Sequence, residues 1–227
     1  MLLLFDIDGT LVQRASGEHA QSLIEALHVV HGVEADPAAV GDTVAGRTDG
    51  EIARILLLHS GVSATAIDEH ADAVAEETCR RYFKRCPDDL SDHVVPGIPL
   101  LLAQLAEQES LRLALLTGNY EPVARLKLKR AGVGHWFERG QGAFGSDAED
   151  RAELPALARR RAGGGSHSYP REKTVVIGDT PRDIACARAD GLRCIAVTTG
   201  PYGAEALAKA DAVVSDPQEL GAVLAAL

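Results

Sequence analysis

Two aspartates, Asp6 and Asp8, follow the first apolar run of the chain and carry the first side chains suited to catalysis. The apolar run predicts a buried strand of a parallel sheet, and such sheets bind their ligands beyond the carboxyl ends of the strands. Side chains two positions apart in extended chain point to one side, and Gly9 allows the chain to turn away. The spacing favours two carboxylates in one small site, although ordinary acidic turns share this pattern.

A second polar group, Thr117-Gly118-Asn119, follows the predicted strand 111–116 and precedes a helix that opens near Pro122. A hydroxyl together with backbone N–H groups at a helix N-terminus binds phosphate oxygens. A simple turn with a helix cap would give the same residues. The segment is therefore a candidate phosphate-binding site that depends on the motifs around it.

A third group follows the predicted strand 174–177, where Asp179 stands at the strand end and Asp183 in the first turn of the next helix. The helix dipole and capping by Thr180 also favour an acidic residue at position 183, but neither accounts for Asp179. Carboxylates gathered at one sheet edge repel one another unless a cation lies among them. Oxygen ligands of this kind suit Mg²⁺, which leaves positions for water and a substrate phosphate. The sequence thus predicts Mg²⁺ and an anionic substrate.

Alternating strands and helices from position 95 onward predict a doubly wound parallel sheet, a Rossmann-like α/β core. The stretch from 14 to 94 has helical periodicity and no convincing strand. We therefore expect a discontinuous core of residues 1–13 and 95–227 with an inserted all-helical cap of residues 14–94. Within that cap, a helix is predicted to end at Gly32, and Thr48 to Glu51 has the spacing of a capping box.

Composition excludes several classes of protein. The chain has 227 residues, a formal charge of −10 and 4% aromatic residues, which argues against nucleic-acid binding because both basic surface and stacking platforms are scarce. Its apolar runs are too short for a bilayer span, and the N-terminus lacks the pattern of a secretory signal. We expect a cytoplasmic protein that binds no membrane and whose four cysteines are reduced.

The whole chain resembles a phosphatase of the haloacid dehalogenase superfamily, of the phosphoglycolate phosphatase type with a helical cap. Three of its motifs carry the resemblance: Asp6-Ile7-Asp8-Gly9-Thr10-Leu11, Leu116-Thr117-Gly118-Asn119 and Gly178-Asp179-Thr180-Pro181-Arg182-Asp183. The predicted cap also falls where the family has one.

The resemblance implies a role for each residue of these motifs. Asp6 would be the nucleophile and Asp8 the general acid and base. Thr117 would bind phosphate, together with the neighbouring N–H groups of Gly118 and Asn119. Asp179 would bind Mg²⁺ beside Asp6 and the backbone carbonyl of Asp8, and Asp183 would support the metal and its waters.

The third motif departs from the family, which usually has a lysine at the start of a helix. Segment 145–154 offers Arg151 instead, and arginine can bind phosphate through two donors. Lys173 is the rival, but it directly precedes a predicted strand and should lie at the opposite end of the sheet. We therefore favour Arg151.

Three further features have weaker implications. Arg47 resembles a substrate-contacting position of the cap loop in related enzymes, although a solvated surface arginine is equally consistent with the sequence. His19 is interpreted as an ordinary exposed helix residue. The stretch 140–145 matches the GxGxxG dinucleotide pattern, but no clear strand precedes it and no helix opens directly after it, which argues against nucleotide binding.

Together these features predict a Mg²⁺-dependent phosphatase that hydrolyses a small phosphorylated metabolite through an aspartyl-phosphate. An alternative is phosphoryl transfer like that of β-phosphoglucomutase. Dehalogenation is disfavoured, since the dehalogenase branch lacks a second acid at the position of Asp8. A non-catalytic binding module would require a broken catalytic set, and no expected carboxylate is missing. The sequence specifies neither the ester nor the oligomeric state.

Overall fold

Six parallel strands form a single sheet in the computed structural model, which describes residues 1–226 apart from the side chains at positions 42 and 43. The strands are β1 (Leu2–Phe5), β2 (Arg112–Thr117), β3 (Ala143–Phe144), β4 (Thr174–Gly178), β5 (Arg193–Val197) and β6 (Ala212–Val214). Their order is β3-β2-β1-β4-β5-β6. Strand β1 thus lies between β2 and β4, and Phe5 is in register with Leu115 on one side and Ile177 on the other.

Eight α-helices accompany the strands in the described part of the chain: α1 (Gly17–His31), α2 (Asp49–His59), α3 (Ala64–Arg85), α4 (Ile98–Ala106), α5 (Glu121–Arg130), α6 (Leu154–Ala162), α7 (Pro181–Ala189) and α8 (Pro217–Ala225). The predicted doubly wound parallel fold is confirmed. Segment 14–94 contains α1, α2 and α3, while its treatment as a separate cap stays a prediction, and Leu227 of the predicted core lies outside the described residues. No helix among residues 1–226 is long and apolar enough to cross a bilayer.

The sheet is buried on both faces, as its apolar strands require. In β1, Leu3 and Phe5 pack into one hydrophobic cluster with α4, α5 and α8. Leu2 and Leu4 point to the other face and pack with α6 and α7. Alternation along the strand therefore places each residue of a fully apolar run against one of two helical layers, and this holds β1 rigidly just ahead of Asp6.

Local signals set several helix ends as expected. Gly32 ends α1 in a left-handed conformation, with φ of 69°. The Thr48 hydroxyl accepts from the backbone N–H of Glu51 at 3.1 Å and so caps α2. Strand β3 was not predicted, because it has only two residues and lies between glycines within stretch 140–145. Helix α6 begins only at Leu154, so no helix N-terminus directly follows that stretch.

Segment 14–94 contacts the sheet edge through backbone at the start of α2. The N–H of Asp49 donates to the carbonyl of Gly118 at 2.8 Å. A Cβ atom at position 118 would lie 2.1 Å from the carbonyl oxygen of Arg47, so only glycine permits this approach. The Thr48 hydroxyl also donates to the carbonyl of Glu149 at 2.6 Å. These contacts bring the start of α2 over the carboxyl end of β2 and the loop that follows β3.

Candidate active site

Strands β1, β2 and β4 end side by side and bring Asp6, Thr117 and Asp179 to one edge of the sheet. All three are buried, at 4%, 1% and 1% exposed. The Asp6 N–H continues the strand ladder by donating to the carbonyl of Ile177 at 2.9 Å. The three motifs predicted to act together thus line one central cavity, with Asp8, Gly118, Asn119 and Arg151.

An acidic cluster lies at the base of this cavity. Carboxylate oxygens of Asp6, Asp179 and Asp183 lie within 4.8 Å of one another. Burial raises the pKa of Asp6 to about 7. Burial and then the neighbouring charge of Asp6 raise the pKa of Asp179 to about 9. Such shifts show that these carboxylates lack sufficient compensating positive charge.

The cluster has the donor chemistry of a hard divalent cation. Asp179 Oδ1 accepts from the Thr10 hydroxyl at 3.0 Å, while the buried Asp179 Oδ2 has no partner among the described residues. Gly9, at φ of +90°, passes so close that a Cβ there would lie 2.2 Å from Asp179 Oδ2. An unpartnered oxygen among carboxylates suits Mg²⁺, so these residues fit the predicted metal. Asp6 and Asp179 belong to the cluster, whereas the Asp8 carboxylate pairs with Lys127.

Asp183 uses both of its oxygens within the protein. Its Oδ2 atom accepts from the backbone N–H of Thr180 at 2.9 Å and from the Thr180 hydroxyl at 2.7 Å, which completes a capping box at the start of α7. Its Oδ1 atom accepts from Arg151. Both interpretations of this residue therefore apply, since it caps the helix and also borders the acidic cluster.

Arg151 is the cation that the structure brings to Asp6. Its Nη2 atom donates to Asp6 Oδ1 at 3.1 Å, and the side chain is only 6% exposed. Asp150 fixes the start of this turn, since its carboxylate accepts from the N–H of Ala152 at 2.9 Å. Lys173 is exposed just before β4, at the opposite end of the sheet. The structure therefore brings Arg151, and not Lys173, next to Asp6.

Lys127 was missed by the sequence analysis. This residue of α5 is fully buried, and its Nζ atom lies 2.7 Å from each carboxylate oxygen of Asp8 and 3.0 Å from Asn119 Oδ1. A signal was available, because position 127 falls on the apolar face of α5 with Val123 and Ala124. A lysine on a buried helix face needs an anionic partner.

The Asp8 carboxylate is held ionised by this lysine. Burial raises the pKa of Asp8, but the charge and hydrogen bond of Lys127, together with His19 and Asn119, outweigh burial, so the pKa falls below its ordinary value. The Ser16 hydroxyl also donates to Asp8 Oδ1 at 3.0 Å. Asp6 and Asp8 therefore lie in contrasting environments, with one pKa raised and the other lowered.

The predicted phosphate site is assembled around the end of β2. Thr117 is buried at the strand end, and its Oγ1 atom accepts from the N–H of Asn119 at 3.4 Å. Lys127 donates to the side-chain oxygen of Asn119, which leaves the amide nitrogen of that side chain to act as a donor. Hydroxyl and N–H groups thus border the same cavity as Asp6.

The expectation for His19 was wrong. His19 is 6% exposed, and its Nε2 atom lies 3.0 Å from Asp49 Oδ2. The same Asp49 oxygen accepts from the backbone N–H of Tyr120 at 2.7 Å. His19 stands one helical turn before the buried Leu23, so it lies on the inner face of α1. The histidine therefore belongs to a polar link between α1, α2 and the start of α5.

Arg47 lies on the wall of the central cavity. It is half-buried and forms an ion pair with Glu51 of α2. Its position beside the cavity agrees with the substrate-contacting role implied by the resemblance, which stays a prediction. The alternative interpretation, a solvated surface arginine, does not fit this half-buried and ion-paired residue.

Comparison with known proteins links this arrangement to one family. The family model for haloacid dehalogenase-like hydrolases matches residues 3–188. The chain is 28% identical over 212 residues to the probable phosphatase IndB of Dickeya dadantii, covering 92% of this chain and 86% of that protein. It is 29% identical over 227 residues to a phosphoglycolate phosphatase of Rhodospirillum rubrum, covering 96% of this chain and 88% of that protein.

Solved structures agree on the fold. A predicted phosphatase from Clostridium acetobutylicum superposes with a TM-score of 0.72 at 18% identity, covering 100% of this chain and 98% of that one. CbbY from Rhodobacter sphaeroides, in complex with phosphate, gives a TM-score of 0.69 at 22% identity. The match covers 97% of this chain and 96% of that one. At these identities the likeness concerns the architecture alone.

Proposed function

The chain belongs to the haloacid dehalogenase-like hydrolase family, and from that membership we propose that it is a Mg²⁺-dependent phosphatase of small phosphorylated metabolites, acting through an aspartyl-phosphate. The observation that carries the proposal is the buried Asp6 carboxylate between Arg151 and the unpartnered oxygen of Asp179. A cation on one side of the carboxylate and a metal site on the other would offset the repulsion between this carboxylate and a phosphate dianion.

Asp6 and Asp179 would hold the metal, with Asp183 beside them in the acidic cluster. When bound, Mg²⁺ supplies positive charge that offsets the repulsion between a carboxylate nucleophile and a phosphate dianion. Arg151 contributes to the same end, because its guanidinium already lies against Asp6. Thr117 and the N–H groups that follow it would orient the phosphate oxygens.

Asp6 is the proposed nucleophile. Its free carboxylate oxygen attacks phosphorus, the bond from phosphorus to the ester oxygen breaks, and the phosphoryl group is left on Asp6. The departing alkoxide takes a proton from Asp8. Water then attacks phosphorus and gives its proton to Asp8, which releases phosphate and restores the Asp6 carboxylate. Two displacements thus replace one difficult step.

Lys127 would set the protonation of Asp8 through this cycle. Beside the ammonium, Asp8 is the carboxylate that accepts a proton from water in the second step. An entering phosphate dianion adds negative charge next to Asp8, which raises its pKa and favours the protonated form that the first step needs. The same side chain can then serve as acid and as base.

The proposed division of the chain follows from the packing of helices within segment 14–94. Residues 1–13 and 95–227 would form the catalytic core, and residues 14–94 the cap that covers it. Helices α1, α2 and α3 pack against one another within segment 14–94, which supports this division. Hydrogen bonds from Asp49 to Gly118 and from Thr48 to Glu149 join that segment to the core.

The proposal is tested by phosphate release from a panel of phosphate esters in the presence of Mg²⁺. We expect release that EDTA abolishes and that Asp6→Asn eliminates. Conversion of a sugar phosphate into an isomer with little free phosphate would instead identify a mutase. An active Asp6→Asn protein would rule out the proposed nucleophile.

A further inference from the structure

The central cavity is lined by apolar side chains of segment 14–94 as well as by the residues of the proposed phosphate site. Its volume is about 530 Å³, within the range of roughly 300–1,000 Å³ found for sites that hold drug-sized ligands. Resting on the proposed function, we propose that the alcohol part of the substrate is a hydrocarbon-rich alkyl or aryl group, not a short hydroxy acid or a sugar.

The apolar wall is built by two helices of segment 14–94. Leu23 and Ile24 of α1 line the cavity, as do Ile52 and Leu56 of α2. Leu23 and Leu56 are buried, whereas Ile24 and Ile52 remain half-exposed. Half-exposed isoleucines beside a cavity leave apolar surface that a ligand can cover, and this favours a ligand with matching apolar surface.

Three polar side chains of segment 14–94 that line the cavity already have partners within the protein. Ser16 donates to Asp8, His19 pairs with Asp49, and Arg47 pairs with Glu51. The hydroxyl groups of a sugar would have to displace these partners or remain unpaired when buried, and both outcomes weaken binding. A hydrocarbon group has no hydroxyl groups, so its binding neither displaces these partners nor leaves buried polar groups unpaired.

Arg14 supplies the main competing interpretation. It lines the cavity as an exposed residue, and an arginine at this position could bind the carboxylate of a short acid such as phosphoglycolate. Apolar atoms nevertheless form most of the surface that lines the cavity. A comparison of esters that differ in hydrocarbon length or carry a carboxylate separates the two interpretations.

The test is kcat/KM for ethyl, butyl and hexyl phosphate and for phosphoglycolate, measured with Mg²⁺. All four are esters of primary alcohols, so differences report mainly on the organic group. We expect kcat/KM to rise by about three- to fourfold per methylene from ethyl to hexyl phosphate, with phosphoglycolate below hexyl phosphate.

Two variants of α2 locate the effect. Ile52→Gln places an amide on the apolar wall and should lower the ratio of hexyl to ethyl phosphate kcat/KM at least about tenfold. Leu58→Gln is the matched control, because Leu58 is 49% exposed on the same helix and should not change the ratio. Thermal melting of both variants verifies that they fold.

The outcomes distinguish the two levels of the proposal. Phosphate release without a rise along the alkyl series, or a preference for phosphoglycolate, overturns the hydrocarbon inference and leaves the phosphatase intact. No phosphate release from any ester overturns the proposed function. An unchanged ratio in Ile52→Gln would show that the α2 wall does not contact the alcohol group, and would overturn the inference.

Discussion

The Nζ atom of Lys127 lies 2.7 Å from each carboxylate oxygen of Asp8, although the two residues are 119 positions apart. Lys127 is fully buried, whereas the Asp8 side chain is 27% exposed toward the cavity. The same ammonium donates to Asn119. One cation therefore connects the proposed acid and base of the first motif to the phosphate-binding turn of the second.

Lys127→Met is expected to lower kcat for p-nitrophenyl phosphate by about 10- to 100-fold. This ester has a good leaving group, so turnover depends mainly on Asp8 acting as a base. Loss of the ammonium raises the pKa of Asp8, and the acid limb of the kcat profile should move to higher pH. Steady-state kinetics across pH measures both effects.

The same change should destabilise the fold by about 3 kcal/mol, the low end for a broken buried ion pair, because Asp8 retains some exposure. Lys127 lowers the pKa of Asp8 in the folded state, so its stabilisation is present above the unfolded pKa near 4 and is lost as pH falls. The difference in unfolding free energy between Lys127→Met and wild type should therefore shrink as pH falls. Lys129→Met, at an exposed position of α5, is the control. Equal pH profiles for the two variants would contradict the role of Lys127.

Asp8→Asn is expected to separate the two chemical steps. With p-nitrophenyl phosphate the first step needs little acid catalysis, whereas water attack still needs a base. Stopped-flow absorbance should show a burst of about one p-nitrophenolate per site followed by turnover reduced about 10²- to 10⁴-fold. Asp6→Asn should give no burst. A variant without a burst and with ordinary turnover would remove Asp8 from the mechanism.

Much of this architecture could be predicted from the sequence, because its signals are local. The apolar run of β1, the acidic residues after the strands and the glycine that ends α1 are each specified by neighbouring residues. Arg151 was favoured over Lys173 because the lysine directly precedes a predicted strand, and the structure brings Arg151 next to Asp6. Such features depend little on distant packing.

The remaining features depend on tertiary contacts. His19 and Lys127 are polar residues on buried helix faces, and their partners Asp49 and Asp8 are distant in sequence. Helical periodicity marks both positions as inward-facing, but it does not reveal what lies opposite. The two-residue strand β3 has no periodicity of its own and forms only because β2 provides an edge. Pairing with distant chain segments explains each of these differences.

Arg151 is expected to contribute to catalysis and stability through its positive charge. Arg151→Met leaves Asp6 and Asp183 buried without their cation, which should cost about 3–5 kcal/mol of stability and lower kcat/KM about 10²- to 10³-fold. Arg151→Lys keeps the charge and should retain at least about tenfold more activity than the methionine variant. Lys173→Met should resemble wild type in both assays. Loss of activity in Lys173→Met would show that Lys173, and not Arg151, takes the place of the family's third-motif lysine.

Metal binding should alter stability in a pH-dependent way. In EDTA, Asp6 and Asp179 have pKa values raised to about 7 and about 9. Carboxyls with raised folded-state pKa values contribute stability that is full below the unfolded value near 4 and is lost as pH rises through the folded values. The Tm of the metal-free protein should therefore fall between pH 4 and 9.

Added Mg²⁺ should reverse this loss, because it binds the ionised carboxylates and not the protonated ones. The gain in Tm is expected to be largest near pH 9 and small near pH 5. Asp179→Asn should be more stable than wild type in EDTA at pH 9 and should lose most of the gain from Mg²⁺, whereas Asp72→Asn, on the exposed face of α3, should match wild type. Scanning fluorimetry across pH measures all of these values, and a Mg²⁺ gain that persists in Asp179→Asn would place the metal away from the acidic cluster.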